Sequence, residues 1–162
     1  MASALPGAFP RGIGGGAPLP SKSILYVEDN PVNQMLMTEI VGRCTTHRLQ
    51  LASTLREGLR IAGQQGFDLL LLDLRLPDGD GAELLGLLRR MPGLADVPAV
   101  AVTAEYGFQL EGSGFCEVWY KPLDLHQTLE RLDRVLRRPL SGTAALSLLA
   151  SFPRQSALVA LR

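Results

Sequence analysis

Residues 67–74, FDLLLLDL, decide the fold. The run is apolar on both faces, as a central strand of a parallel sheet is when helices cover both of its sides. Working outward, SILYV (23–27) is a strand of buried length. After it Val32, Met35, Leu36 and Ile40 fall on one helical face, with Pro31 at the helix start. RLQLA (48–52) reads as a second strand, and Leu55, Leu59 and Ala62 stripe a helix closed by Gly66. Beyond Asp73 come a turn rich in Pro, Gly and Asp, a helix over 82–91 and a strand PAVAVTA (98–104). A segment without clear pattern leads to a strand CEVWY (116–120) and a final helix striped by Leu125, Leu129, Leu132 and Val135. Five strands alternating with helices predict an α/β fold, a parallel sheet covered on both faces.

The 162 residues suit one domain with a single core. The formal net charge of zero offers nothing global to attract nucleic acid or an anionic membrane. Cys44 and Cys116 have neither metal-ligand nor disulfide-framework spacing and are read as core or cytosolic thiols, which places the protein in a reducing cytoplasm. No run is long and apolar enough to span a bilayer, and no signal-peptide pattern opens the chain. Residues 1–21 read as a flexible Gly/Pro-rich leader, 22–138 as the domain, and 139–162 as an apolar tail that packs onto something.

In such a fold ligands bind where the C-terminal ends of the strands open. Glu28 and Asp29 end the first strand, Asp73 the third, Thr103 the fourth and Lys121 the fifth. Each alone has an ordinary reading: a solvated turn or cap for the Glu-Asp pair, a loop carboxylate for Asp73, a satisfied hydroxyl for Thr103, a surface charge for Lys121. Their joint placement carries the signal. Three carboxylates at one point repel unless they share a hard cation, and Mg²⁺ prefers oxygen ligands while commonly bridging carboxylates to a phosphate.

YVEDN, LLLLDLRLPDGDG, AVTAE and WYKPLD together resemble the ordered signature of the response-regulator receiver domain of two-component signalling, over roughly residues 22–138. VEDNPVNQ is similar to receivers attached to hybrid sensor histidine kinases. The resemblance implies a flavodoxin-like five-stranded parallel sheet of order 2-1-3-4-5. It implies that Asp73 takes a phosphoryl group from a phosphohistidine of a sensor kinase or phosphotransfer protein. Mg²⁺ is then held by Asp29, Asp73, the Arg75 backbone carbonyl and, through water, Glu28. Lys121 and Thr103 are implied to contact phosphoryl oxygens, and the Lys121–Pro122 bond to be cis. Output passes through protein contacts to a downstream target, with no direct nucleic-acid binding, no membrane insertion and no enzymatic turnover beyond self-dephosphorylation.

Two departures stand out. The family's switch aromatic, three residues before the Lys, is here Val118, followed by Trp119 and Tyr120. The stretch GFQLEGSGF (107–115) has three glycines and is a poor candidate for the fourth helix. They keep open a pseudo-receiver, a binding module not regulated by phosphorylation. A haloacid-dehalogenase-type phosphohydrolase would need a second Asp two residues after Asp73, where Arg75 stands. Arg75 and Glu105 are expected to face each other across the mouth of the site.

Overall fold

The computed structural model describes residues 20–137. Apart from Pro20 and Ser21, the expected leader and the whole of the expected apolar tail lie outside the described residues. Five parallel strands form the sheet: β1 (Ser23–Val27), β2 (Arg48–Ala52), β3 (Leu69–Asp73), β6 (Ala99–Thr103) and β7 (Glu117–Tyr120). Two-residue strands β4 (Arg75–Leu76) and β5 (Gly79–Asp80) pair antiparallel in a separate ribbon inside the Pro-Gly-Asp turn. The sheet order is β2-β1-β3-β6-β7, the expected 2-1-3-4-5 once the ribbon is set aside. Leu69 to Leu72 are fully buried, so β3 is the centre its composition predicted.

Alternation along the strands divides the core in two. Leu25, Val27, Leu70, Leu72, Ala99 and Ala101 face helices α2 (Leu55–Ala62) and α3 (Gly81–Leu88). Ile24, Tyr26, Leu69, Leu71, Val100, Val102 and Trp119 face α1 (Pro31–Cys44) and α4 (Leu125–Leu136). Local chemistry starts each helix. Asn30 caps α1 by accepting from the Val32 N–H with Pro31 at the first turn, and Thr54, Asp80 and Asp124 accept likewise at α2, α3 and α4.

Several boundaries and faces differ from the sequence reading. Helix α2 closes at Gly63, not Gly66, because its last carbonyls are taken up by the Gly63 N–H. Helix α3 covers 81–88 rather than 82–91, since Arg89, Arg90 and Met91 close the chain in turns. On α1 the buried side chains are Met37, Ile40 and Val41, whereas Val32 and Met35 are each 63% exposed. The apolar pattern there fits two adjacent faces, and only packing chooses between them. On α4 Thr128 is buried and Leu125 is exposed.

No helix forms between β6 and β7; residues 104–116 run in turns. Gly107, Gly112 and Gly114 all have positive φ, a conformation that interrupts helix and that other residues rarely adopt. Phe108 and Phe115 meet edge to face at 5.9 Å and pack toward the α2/α3 side. The Arg89 guanidinium donates to the Leu94, Val97 and Gly114 carbonyls, tying this segment to the preceding loop.

The corrected face of α1 leads to a direct comparison. Met37→Ala is expected to cost about 2–5 kcal/mol as a core truncation. Met35→Ala, two residues away, should stay within about 0.5 kcal/mol as a surface change. Urea unfolding of both variants measures the difference.

Candidate functional site

Three strands deliver the charged centre from one face of the sheet. Glu28 continues the Ile24–Tyr26 row, Asp73 the Leu69–Leu71 row, and Lys121 the row of Trp119. β1 and β3 are neighbours with Val27 opposite Leu72, so Glu28 and Asp73 emerge side by side. Lys121 comes from beyond β6 and spans it with its long stem. Its Nζ lies 2.6 Å from Asp73 Oδ2 and 2.6 Å from Glu28 Oε2.

Glu28 has no exposed surface and Asp73 is 5% exposed. Glu28 Oε2 also accepts from the Tyr26 hydroxyl at 2.9 Å, and Oε1 from the Asn30 N–H at 3.1 Å. Asp73 Oδ1 accepts from the Arg75 N–H at 3.0 Å. Asp29 is exposed, and ligand oxygens of Glu28, Asp29 and Asp73 lie within 4.8 Å of one another. Thr103 is buried at the end of β6, with its Oγ accepting from the Glu105 N–H at 3.0 Å.

The electrostatics follow from one cation among three acids. Burial pushes the Asp73 carboxyl up; the Arg75 N–H and Lys121 pull it down and Glu28 repels it, leaving it above the ordinary range. Burial also pushes Glu28 up, but donors from Lys121, Asn30 and Tyr26 outweigh this and hold it below the ordinary range. Burial lowers Lys121, and its bonds to Asp73 and Glu28 more than restore it, so it remains an ammonium. Burial beside Glu28 drives the Tyr26 phenol far up, which keeps it a proton donor. One ammonium does not neutralise three carboxylates. The cluster suits a divalent cation with hard oxygen ligands, and Asp29 and Asp73 present the most accessible oxygens for it.

Around the mouth, Arg75 Nε pairs with Glu105 Oε1 at 2.5 Å, the facing arrangement expected from the sequence. Both are exposed, and Glu105 raises the Arg75 guanidinium further. Tyr106 stacks on Tyr120 at 5.3 Å, and Val118, on the face opposite Trp119 and Lys121, packs against the α2/α3 core. The Lys121–Pro122 peptide is cis.

The response regulator receiver domain model matches residues 24–133. The chain belongs to this family. Receivers are regulatory signalling modules of two-component systems rather than enzymes of metabolism, and they act with histidine kinases or phosphotransfer proteins and downstream targets. The receiver is 30% identical over 129 residues to the signal transduction histidine-protein kinase BarA of Escherichia coli, a match that spans 77% of this chain and 14% of BarA. It is 30% identical over 123 residues to the polar-differentiation response regulator DivK of Brucella ovis, with 72% of this chain and 97% of DivK covered. Its fold matches the receiver domain of sensor histidine kinase PA1611 of Pseudomonas aeruginosa, which carries a magnesium ion in its active-site cleft. The two share 28% identity at a TM-score of 0.65, covering 74% of this chain and 100% of that domain. No helix among the described residues is long and apolar enough to cross a membrane.

The sequence reading of the receiver missed three positioning residues. Tyr26 was legible as a phenol in an aliphatic strand, two residues before Glu28 and so on the same face. Asp78 accepts from the Leu55 and Arg56 N–H groups and pins the ribbon to the start of α2. Gly81 packs so closely that a Cβ there would stand 2.2 Å from the Asp73 carbonyl oxygen.

Gly81→Ala is therefore expected to lower stability and disturb Asp73. Gly86→Ala, in the same helix with open space around it, should add about 0.5–1 kcal/mol; thermal unfolding of both reads the opposite signs. Because the folded-state value of Asp73 lies above its unfolded one, its ionisation opposes folding at neutral pH. Asp73→Asn is expected to raise the urea midpoint of the metal-free protein at neutral pH. The gain should shrink as the pH falls through the folded value, where the wild-type carboxyl takes up a proton.

Proposed function

We propose that this receiver is a phosphoacceptor module, with Asp73 as the nucleophile. In the transfer a carboxylate oxygen of Asp73 forms the new P–O bond. The P–N bond of a kinase or phosphotransfer-protein phosphohistidine breaks, and its electron pair returns to the imidazole. The observation that carries this reading is the ion pair of buried Asp73 with Lys121 inside a three-carboxylate cluster. Mg²⁺, when bound, supplies positive charge to the transferring oxygens. Asp29, Asp73, the Arg75 carbonyl and, through water, Glu28 are its holders in this proposal. Lys121 meets one phosphoryl oxygen and the Thr103 hydroxyl another. The Arg75–Glu105 pair covers the mouth and slows access of hydrolytic water, the only turnover assigned to the chain.

Residues 22–138 are the working domain in this reading, acting in the cytoplasm and passing the signal to a protein target. A second reading, a pseudo-receiver that binds partners without phosphoryl control, is favoured by Val118 at the switch position and by turns where a helix would link β6 to β7.

Incubation with acetyl phosphate or phosphoramidate and Mg²⁺, followed by intact mass, separates the two. One hydroxylamine-labile phosphoryl group is expected on the wild type and none on Asp73→Asn. A wild type that gains no phosphoryl group would support the pseudo-receiver, and an unimpaired Asp73→Asn would remove Asp73 as the acceptor.

A further inference from the structure

Tyr26 is the one polar side chain among the inward residues of β1, and it is fully buried. Its hydroxyl does not reach Asp73's partners directly; it donates at 2.9 Å to Glu28 Oε2, the same oxygen that Lys121 Nζ approaches at 2.6 Å. Lys121 stands equally near Asp73 Oδ2, at 2.6 Å. One ammonium is thus shared between two buried carboxylates, and its position depends on how strongly each draws it. A donor on Glu28 Oε2 satisfies part of that oxygen's charge and weakens its hold on Lys121.

We infer that Tyr26 is a positioning residue which, through Glu28, keeps Lys121 on Asp73. The inference rests on the phosphoacceptor reading only for its kinetic consequence. Without the hydroxyl, Glu28 retains the ammonium more strongly and Asp73 loses its share. Two effects of opposite sign follow. Asp73, a direct holder of the cation in that reading, faces less competition from Lys121 and holds a divalent cation more tightly, while Lys121 is less available to an incoming phosphoryl oxygen. A phenol that is paired merely because it is buried predicts something else: its removal loosens the site, and both properties weaken together.

The test uses the full chain as wild type, Tyr26→Phe, Glu28→Gln and the double variant. Mg²⁺ affinity is measured by calorimetry, and the rate of phosphoryl uptake from phosphoramidate at saturating Mg²⁺ by intact mass. Tyr26→Phe is expected to tighten Mg²⁺ and slow uptake, each by about three- to ten-fold, the range set by one net hydrogen bond. In the Glu28→Gln background the same change should move neither, because the route through the carboxylate is gone. Replacing Tyr26 with fluorotyrosine, a stronger donor of nearly equal size, should shift Mg²⁺ affinity the other way and keeps the test open if the Phe variant folds poorly. Joint weakening of both properties, or equal effects in the two backgrounds, would overturn the inference. If the wild type takes up no phosphoryl group the acceptor reading fails, and the Mg²⁺ arm alone then decides: tightening confined to the Glu28 background upholds the role of Tyr26, and unchanged affinity ends it.

Discussion

The contact on which the site depends is one ammonium held between two buried carboxylates. Removing Glu28 and Asp73 from water is costly, and each carboxylate is tolerated because donors reach it from Lys121 and the backbone, with Tyr26 adding a third donor at Glu28. The arrangement leaves an excess of negative charge on the open side, at Asp29. That imbalance distinguishes the cluster from a structural ion pair, because a saturated pair would have no further use for a cation.

The sheet makes this contact possible. Parallel strands place all their C-terminal ends on one rim, and alternation sends Glu28, Asp73 and Lys121 out on the α1/α4 side. Thr103 leaves β6 with the opposite parity, following Ala99 and Ala101, so it flanks the group from the α2/α3 side. Register does the rest: a slip by one residue in β1 would exchange Glu28 for Asp29 and turn Tyr26 away from the site. Gly81 holds α3 against the Asp73 carbonyl, so the backbone of Asp73 is fixed by close packing as well as by the ladder.

The β6–β7 segment departs from the alternating pattern of the rest of the sheet. Three glycines at positive φ and two phenylalanines replace a helix with a stapled turn, and the exposed aromatic pair lies outside the core, Tyr106 on Tyr120. Whatever this face presents to a partner is therefore a ring stack and a set of turns, with Val118 half-buried against the α2/α3 core.

Much of this was legible in the chain itself. All five strands were found at or within two residues of their ends: burial on both faces makes β3 and β6 continuous apolar runs, whereas the edge strand β2 reads by its alternation. The rim residues were legible for the same reason: a charged side chain that ends an apolar run must emerge where the sheet opens. Helix faces were less so. Val32 and Met35 carry the same apolar character as Met37 and Val41, and only the approach of α4 and the sheet decides which pair is covered. The pinning by Asp78 depends on partners 22 and 23 positions away, beyond any local pattern. Sequence determined which groups gather at the rim; the tertiary structure alone decided that Lys121 is shared, because that depends on distances of a few ångströms between residues as much as 93 positions apart, Glu28 and Lys121.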